Sequence, residues 1–95
     1  MHTDVIFVLR RSGQELPGLC DALQRLTGNP HLWEISASAL EKLRGGEPVK
    51  TLRIQVKATD IDLVKRLVIW QLGHCFGCFE QATVASDPWD MTEPK

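Results

Sequence analysis

Residues 51–73 read TLRIQVKATDIDLVKRLVIWQLG, and the stretch changes period halfway along. In Thr51–Lys57, Leu52, Ile54 and Val56 alternate with Arg53, Gln55 and Lys57, the two-residue period of a half-buried strand. After Ala58 the apolar residues recur at helical spacing. Thr59 or Asp60 supplies an N-cap, and Asp62 places a negative charge in the first turn, where the helix dipole favours it. The helix is expected to run to about Gly73. One strand followed by one capped helix is therefore legible from local pattern alone.

The flanking sequence fits around this unit. Asp4–Arg10 carries five consecutive apolar residues, Val5 to Leu9, which suits a central strand with both faces at least partly covered. Ser12–Leu16 forms a turn, and Pro17 is suited to the first position of a helix because its missing N–H costs nothing there. Leu19, Leu23 and Leu26 make the stripe of that helix, with Cys20 beside them. Gly28 is expected to end it in the left-handed conformation, and Pro30 prevents its resumption. His31–Ser38 alternates weakly, with Trp33, Ile35 and Ala37 as core candidates. Ser38 and Glu41 have capping-box spacing for a short helix over residues 39–44, ahead of a loop at GGEPVK. Residues 76–85 supply the last strand.

The order is strand, helix, strand, strand, helix, strand. Two right-handed crossovers then give an α+β fold, βαββαβ and ferredoxin-like. The expectation is a four-stranded antiparallel sheet with two helices on one face and a short extra helix between the second and third strands. The domain is expected to span residues 1–86. Residues 87–95, polar and containing two prolines, are expected to be a flexible tail.

Composition narrows the class. Ninety-five residues fit one domain. An apolar fraction of 43% and a charged fraction of 24% exclude a wholly disordered chain. A formal net charge of −1 provides no field toward nucleic acid or an anionic membrane. No stretch is long and apolar enough to span a bilayer. Residues 1–10 lack the charge pattern and cleavage site of a signal peptide. Three cysteines are an odd set, too few for a secreted disulfide framework. These features together imply a cytoplasmic protein without membrane or nucleic-acid partners.

Two surfaces depart from a plain domain. If Val5, Phe7 and Leu9 face the helices, Ile6 and Val8 face the uncovered side of the sheet, beside Arg10 and the Arg53, Gln55, Lys57 row. In the second long helix, Trp70, Leu63, Leu67, Val64, Val68, Ile61 and Leu72 cover an arc of about 200°, roughly double what packing on one sheet requires. Ile69 falls on the polar side of that wheel, among Asp62, Lys65 and Arg66. Ile6, Val8, Arg53, Arg66, Ile69 and Trp70 are therefore the expected contact residues for a protein partner, with a second copy of the chain among the candidates. A docked tail, through Trp89 or Met91, is the competing explanation for the surplus on the helix.

The chemistry-bearing motifs are weak. His74-Cys75-Phe76-Gly77-Cys78 contains a CxxC pair, yet no second pair completes a zinc site. The pair also follows a helix C-terminus, where the dipole disfavours a thiolate. Packed structural thiols are the simpler reading. Asp60 and Asp62 are explained by capping, no phosphate-loop motif occurs, and no serine has nucleophile-elbow context. RNA binding of the RRM kind needs aromatics on the central strands, where this chain has Arg53, Gln55 and Lys57. The expectation is no catalytic residue, no metal and no cofactor.

SGQELPGLCDAL and LRIQVKATDIDLVKRLVIWQLG resemble the small YbeD-like proteins, at the start of the first helix and at the third strand, Ala58-Thr59 corner and second helix. The resemblance covers about two-thirds of the chain. It implies a ferredoxin-like fold similar to ACT regulatory domains, without established enzymatic activity. Leu16-Pro17-Gly18-Leu19 is similar to the Pro-Gly helix start of ACT domains, which by analogy places Ser12, Gly13, Gln14 and Pro17 at a loop for an amino acid or lipoyl-type ligand. The segment 39–48, the HCFGC string and Trp89 have no counterpart in that family. The leading expectation is a non-enzymatic regulatory or adaptor domain acting by protein binding. An ACT-like small-molecule sensor and a small inhibitor of a larger complex, such as a phage antagonist or immunity-type protein, are the alternatives.

Overall fold

A computed structural model describes residues 1–10, 17–45 and 49–90, without the side chains of Pro17, Cys20, Leu43, His74 and Phe76. Its elements run β1 (Thr3–Leu9), α1 (Pro17–Thr27), β2 (Trp33–Ile35), α2 (Ala37–Arg44), β3 (Thr51–Val56), α3 (Ile61–Leu72), a 3-10 turn (Gly73–Cys78), β4 (Phe79–Val84) and β5 (Asp87–Pro88). They build an α+β domain with one antiparallel sheet in the order β2-β3-β1-β4-β5. The sheet has five strands where four were expected.

Each of β1 and β2 is antiparallel to β3, so the two run parallel with β3 between them. By the same argument β3 and β4 run parallel with β1 between them. The crossovers through α1 and α3 therefore interleave. In β1 burial alternates without a break: Val5, Phe7 and Leu9 have no exposure, and Ile6 and Val8 are half-buried. Leu52, Ile54 and Val56 in β3, Leu19, Ala22, Leu23 and Leu26 in α1, and Val64, Val68 and Leu72 in α3 join them in one core. Each large apolar side chain removed from water there contributes about 1.5–3 kcal/mol. Thr3, the buried polar residue of the strand, donates its hydroxyl to the Ala58 carbonyl at 2.7 Å.

Local chemistry explains most boundaries. Asp60 is the N-cap of α3, its Oδ1 accepting from the amides of Asp62 at 3.0 Å and Leu63 at 3.2 Å. α2 starts two residues before the expected 39, because Ser36 rather than Ser38 precedes it and its carbonyl accepts from Leu40 N at 3.1 Å. Gly28 is not left-handed: its amide continues the helical pattern to Gln24 and Arg25, so α1 ends without that cap.

The C-terminal third departs furthest from expectation. Gly73 is a right-handed cap with φ −55° and ψ −38°, so the backbone tightens into a 3-10 turn over residues 73–78. β4 therefore begins at Phe79, not 76. Its register to β1 shifts between Val8 and Leu9, leaving Glu80 as an extra residue. That bulge brings Phe79 and Ala82, three residues apart, to the same buried face, and the Phe79 ring stacks on Phe7 at 4.2 Å. The expected flexible tail starts within the sheet. Ala85 and Ser86, at φ 52° and 71°, form a two-residue turn, and β5 returns along β4. The Trp89 amide donates to the Ala82 carbonyl at 2.9 Å, and its ring, 9% exposed, lies 6.2 Å from Phe7. Residues 91–95 lie outside the described ones.

Candidate functional site

The uncovered face of the sheet presents Glu34 from β2, Thr51, Arg53 and Gln55 from β3, Asp4, Ile6 and Val8 from β1, and Gln81 and Thr83 from β4. Ile6 sits between Arg53 and Thr83, and Val8 between Thr51 and Gln81. Asp4 organises the middle: its carboxylate accepts from Gln55 Nε2 at 2.7 Å and from Arg53 at 3.0 Å. Those two bonds, Gln55 first, hold the Asp4 carboxyl below the usual carboxylate range. Ile6 and Val8 are half-buried on this face although no helix covers it. Arg53 is thus already engaged, and the face is polar with two shielded apolar residues.

The exposed large apolar side chains lie elsewhere. Among the described residues they are Met1, Ile61, Leu63 and Trp70, and Trp70, 72% exposed, is the largest. The last three belong to α3. At ~100° per residue the buried stripe of α3 centres on Val68, flanked by Val64 and Leu72. Leu63 and Trp70 then point about 140–160° away from that centre, beside Arg66 and with half-buried Leu67 at the margin. The surplus expected from the arc is real, and it sits at one end of it. Ile69 does not belong to this outer side: it lies about 100° from the buried centre and packs against the core as Leu67 does on the other flank. α1, in the same layer, turns Asp21, Gln24, Arg25 and Thr27 outward, so its exposed side is polar.

The six expected contact residues therefore divide. Ile6, Val8 and Arg53 lie on the uncovered sheet face. Arg66 and Trp70 lie on the outer side of α3, across the thickness of the domain, and Ile69 lies on its flank. One flat partner surface cannot touch both faces. Leu63 was read only as part of the arc; its 44% exposure makes it a member of the outer face. The ligand-loop residues Ser12, Gly13 and Gln14 lie outside the described ones, and Pro17 is described only as the first residue of α1.

Cys75 and Cys78 lie in the 3-10 turn as free thiols, three residues apart, where side chains eclipse. Burial raises both thiol pKa values, and the neighbouring Cys78 raises Cys75 further. Cys75 packs beneath the first turn of α1, with Sγ 3.9 Å from where a Cβ on Gly18 would stand. This is the environment of packed thiols and opposes a nucleophilic thiolate. Among the described residues no three His, Cys, Asp or Glu gather as a metal site would require, and no helix is long and apolar enough to cross a membrane.

No family model, no curated protein and no solved structure matches this chain.

Proposed function

We propose that this chain is a ferredoxin-like domain that works without catalysis, as a regulatory or adaptor module that binds protein through the outer side of α3. The observation that carries the reading is Trp70, 72% exposed in the last turn of α3, with Leu63, 44% exposed, about two turns earlier on the same side. Tryptophan at the centre of an exposed apolar patch is the side chain most often found to dominate protein contacts. The strand order β2-β3-β1-β4, with interleaved crossovers, supports the ferredoxin-like reading, β5 being an addition at the edge. It also suits the proposed kinship with YbeD-like proteins, which share that layout. The uncovered sheet face is a secondary candidate, because its apolar residues are already shielded.

The test compares the immobilised chain with its Leu63→Asp/Trp70→Asp variant, both shown to be folded by circular dichroism. Each is exposed to extract supplemented with soluble tagged chain. At least one protein, the tagged chain included, should bind the parent and be lost on the variant, while an Arg53→Glu control on the sheet face retains it. An identical set of bound proteins on parent and variant overturns the reading.

A further inference from the structure

We infer that the partner of the α3 face is a second copy of this chain, with the two α3 helices packed antiparallel across a two-fold axis. The inference rests on the reading of α3 as an interaction face, and its argument is charge. Asp62 and Arg66 stand one turn apart on the flank of the Leu63–Trp70 patch, both are exposed, and neither forms an ion pair with a described residue. A face carrying one unpaired charge of each sign complements itself in one orientation only. In a parallel pair the two-fold runs along the helices and turns this flank toward the opposite one, with Leu67 and Gln71, so neither charge finds a partner. An antiparallel two-fold brings the same flank of both helices together with heights reversed, so each Asp62 meets the other copy's Arg66.

The spacing permits the apolar contact at the same time. With a rise of ~1.5 Å per residue and the axis crossing α3 between Lys65 and Arg66, Leu63 stands about 3 Å in height from the second copy's Trp70. In the same arrangement Asp62 stands about 4.5 Å in height from the second copy's Arg66, within reach of a guanidinium. Helix dipoles also oppose in this pairing. A net charge of −1 leaves little repulsion between copies. The polar outer side of α1 keeps the contact on α3. One helix face per copy is a small interface, so the dimer belongs to the weak class.

The experiment is solution mass by light scattering, over a concentration series reaching the millimolar range. It uses the full chain, Asp62→Arg, Arg66→Asp, the double swap and Trp70→Asp, each checked for fold by circular dichroism. Trp70→Ser replaces Trp70→Asp if the aspartate costs the fold. The parent should reach twice the monomer mass. Each single swap should weaken association about tenfold or more, because the symmetry counts every charge twice. The double swap should return the affinity to within about threefold of the parent, and loss of Trp70 should abolish the dimer. A parent that stays monomeric throughout overturns this inference while leaving the α3 face to its own binding test. A dimer indifferent to Trp70, or one that the double swap does not restore, also overturns it.

Discussion

Removing Trp89 should destabilise the domain severely, and removing Trp70 should not. The two residues have the same chemistry in opposite surroundings, 9% against 72% exposed. Truncating a buried aromatic to alanine costs about 3–5 kcal/mol. Trp89 lies at the sheet edge, where water can enter the space left behind, so the lower figure applies, about 3 kcal/mol. The main-chain bond from Trp89 to Ala82 survives the change, so this cost is the ring's own. A domain of this length has total stability of about 5–14 kcal/mol. The substitution should therefore remove a large share of it and lower Tm by roughly 12–24 °C. Trp70→Ala should stay within about 0.5 kcal/mol of the parent. Urea unfolding followed by far-ultraviolet circular dichroism reads both, since it does not depend on the tryptophan signal being removed. A cost below about 1 kcal/mol for Trp89→Ala, or equal costs at the two sites, would refute the placement of β5 and the reasoning built on it.

The β4–β5 turn offers the opposite sign: replacing Ala85-Ser86, both at positive φ, by Asn-Gly should stabilise by about 1 kcal/mol, seen as a raised Tm, and a lowered Tm counts against the turn. Asp4 should make stability fall in acid. Its carboxyl is depressed in the folded state, so its contribution is present above the ordinary carboxylate range and lost as pH drops through the lower folded value; Asp4→Asn should flatten that part of the pH profile, and an unchanged profile argues against the Gln55 and Arg53 bonds. Because burial raises both thiol pKa values, the thiols of the 3-10 turn should react slowly with a disulfide reagent at neutral pH, and much faster in urea. Half-exposed Cys78 should react before buried Cys75; fast reaction of both in the native protein would contradict the packing.

What could be read ahead of the structure was whatever local chemistry decides. Residues 51–72 were legible because the alternation of Leu52, Ile54 and Val56 and the Asp60 cap act within a few residues. β4 was not, because the bulge at Glu80 brings Phe79 and Ala82 to one face, a pattern matching neither helical nor strand period over six residues. The fifth strand was hidden by composition. A polar segment with two prolines reads as loose, Ala85 and Ser86 carry no turn signal, and what holds Asp87–Pro88 is Trp89 against the core, a tertiary fact. Of the contact residues, Trp70 was legible as surplus on the wheel. Ile69 was misplaced because the wheel shows where apolar residues cluster and not which part of the arc the sheet takes. Had the sheet taken the arc's middle, Ile69 would face solvent; it takes the Val64–Val68–Leu72 end, which leaves Ile69 on a flank.

That asymmetry is also the argument for function. α1 and α3 lie in the same layer and are buried by the same sheet, so composition and sheet size act on both equally. α1 meets the sheet with Leu19, Ala22, Leu23 and Leu26 and turns charged and polar residues outward. α3 meets it with Val64, Val68 and Leu72, and then spends two more large apolar residues, Leu63 and Trp70, where the fold gains little from them. Trp89 shows that this chain places tryptophan under cover when it serves stability. Among the described residues nothing covers Trp70, and the proposed α3 contact accounts for it. Solubility penalises it and the core does not require it, which is the cost that the proposed contact would offset by burying the ring in another protein surface.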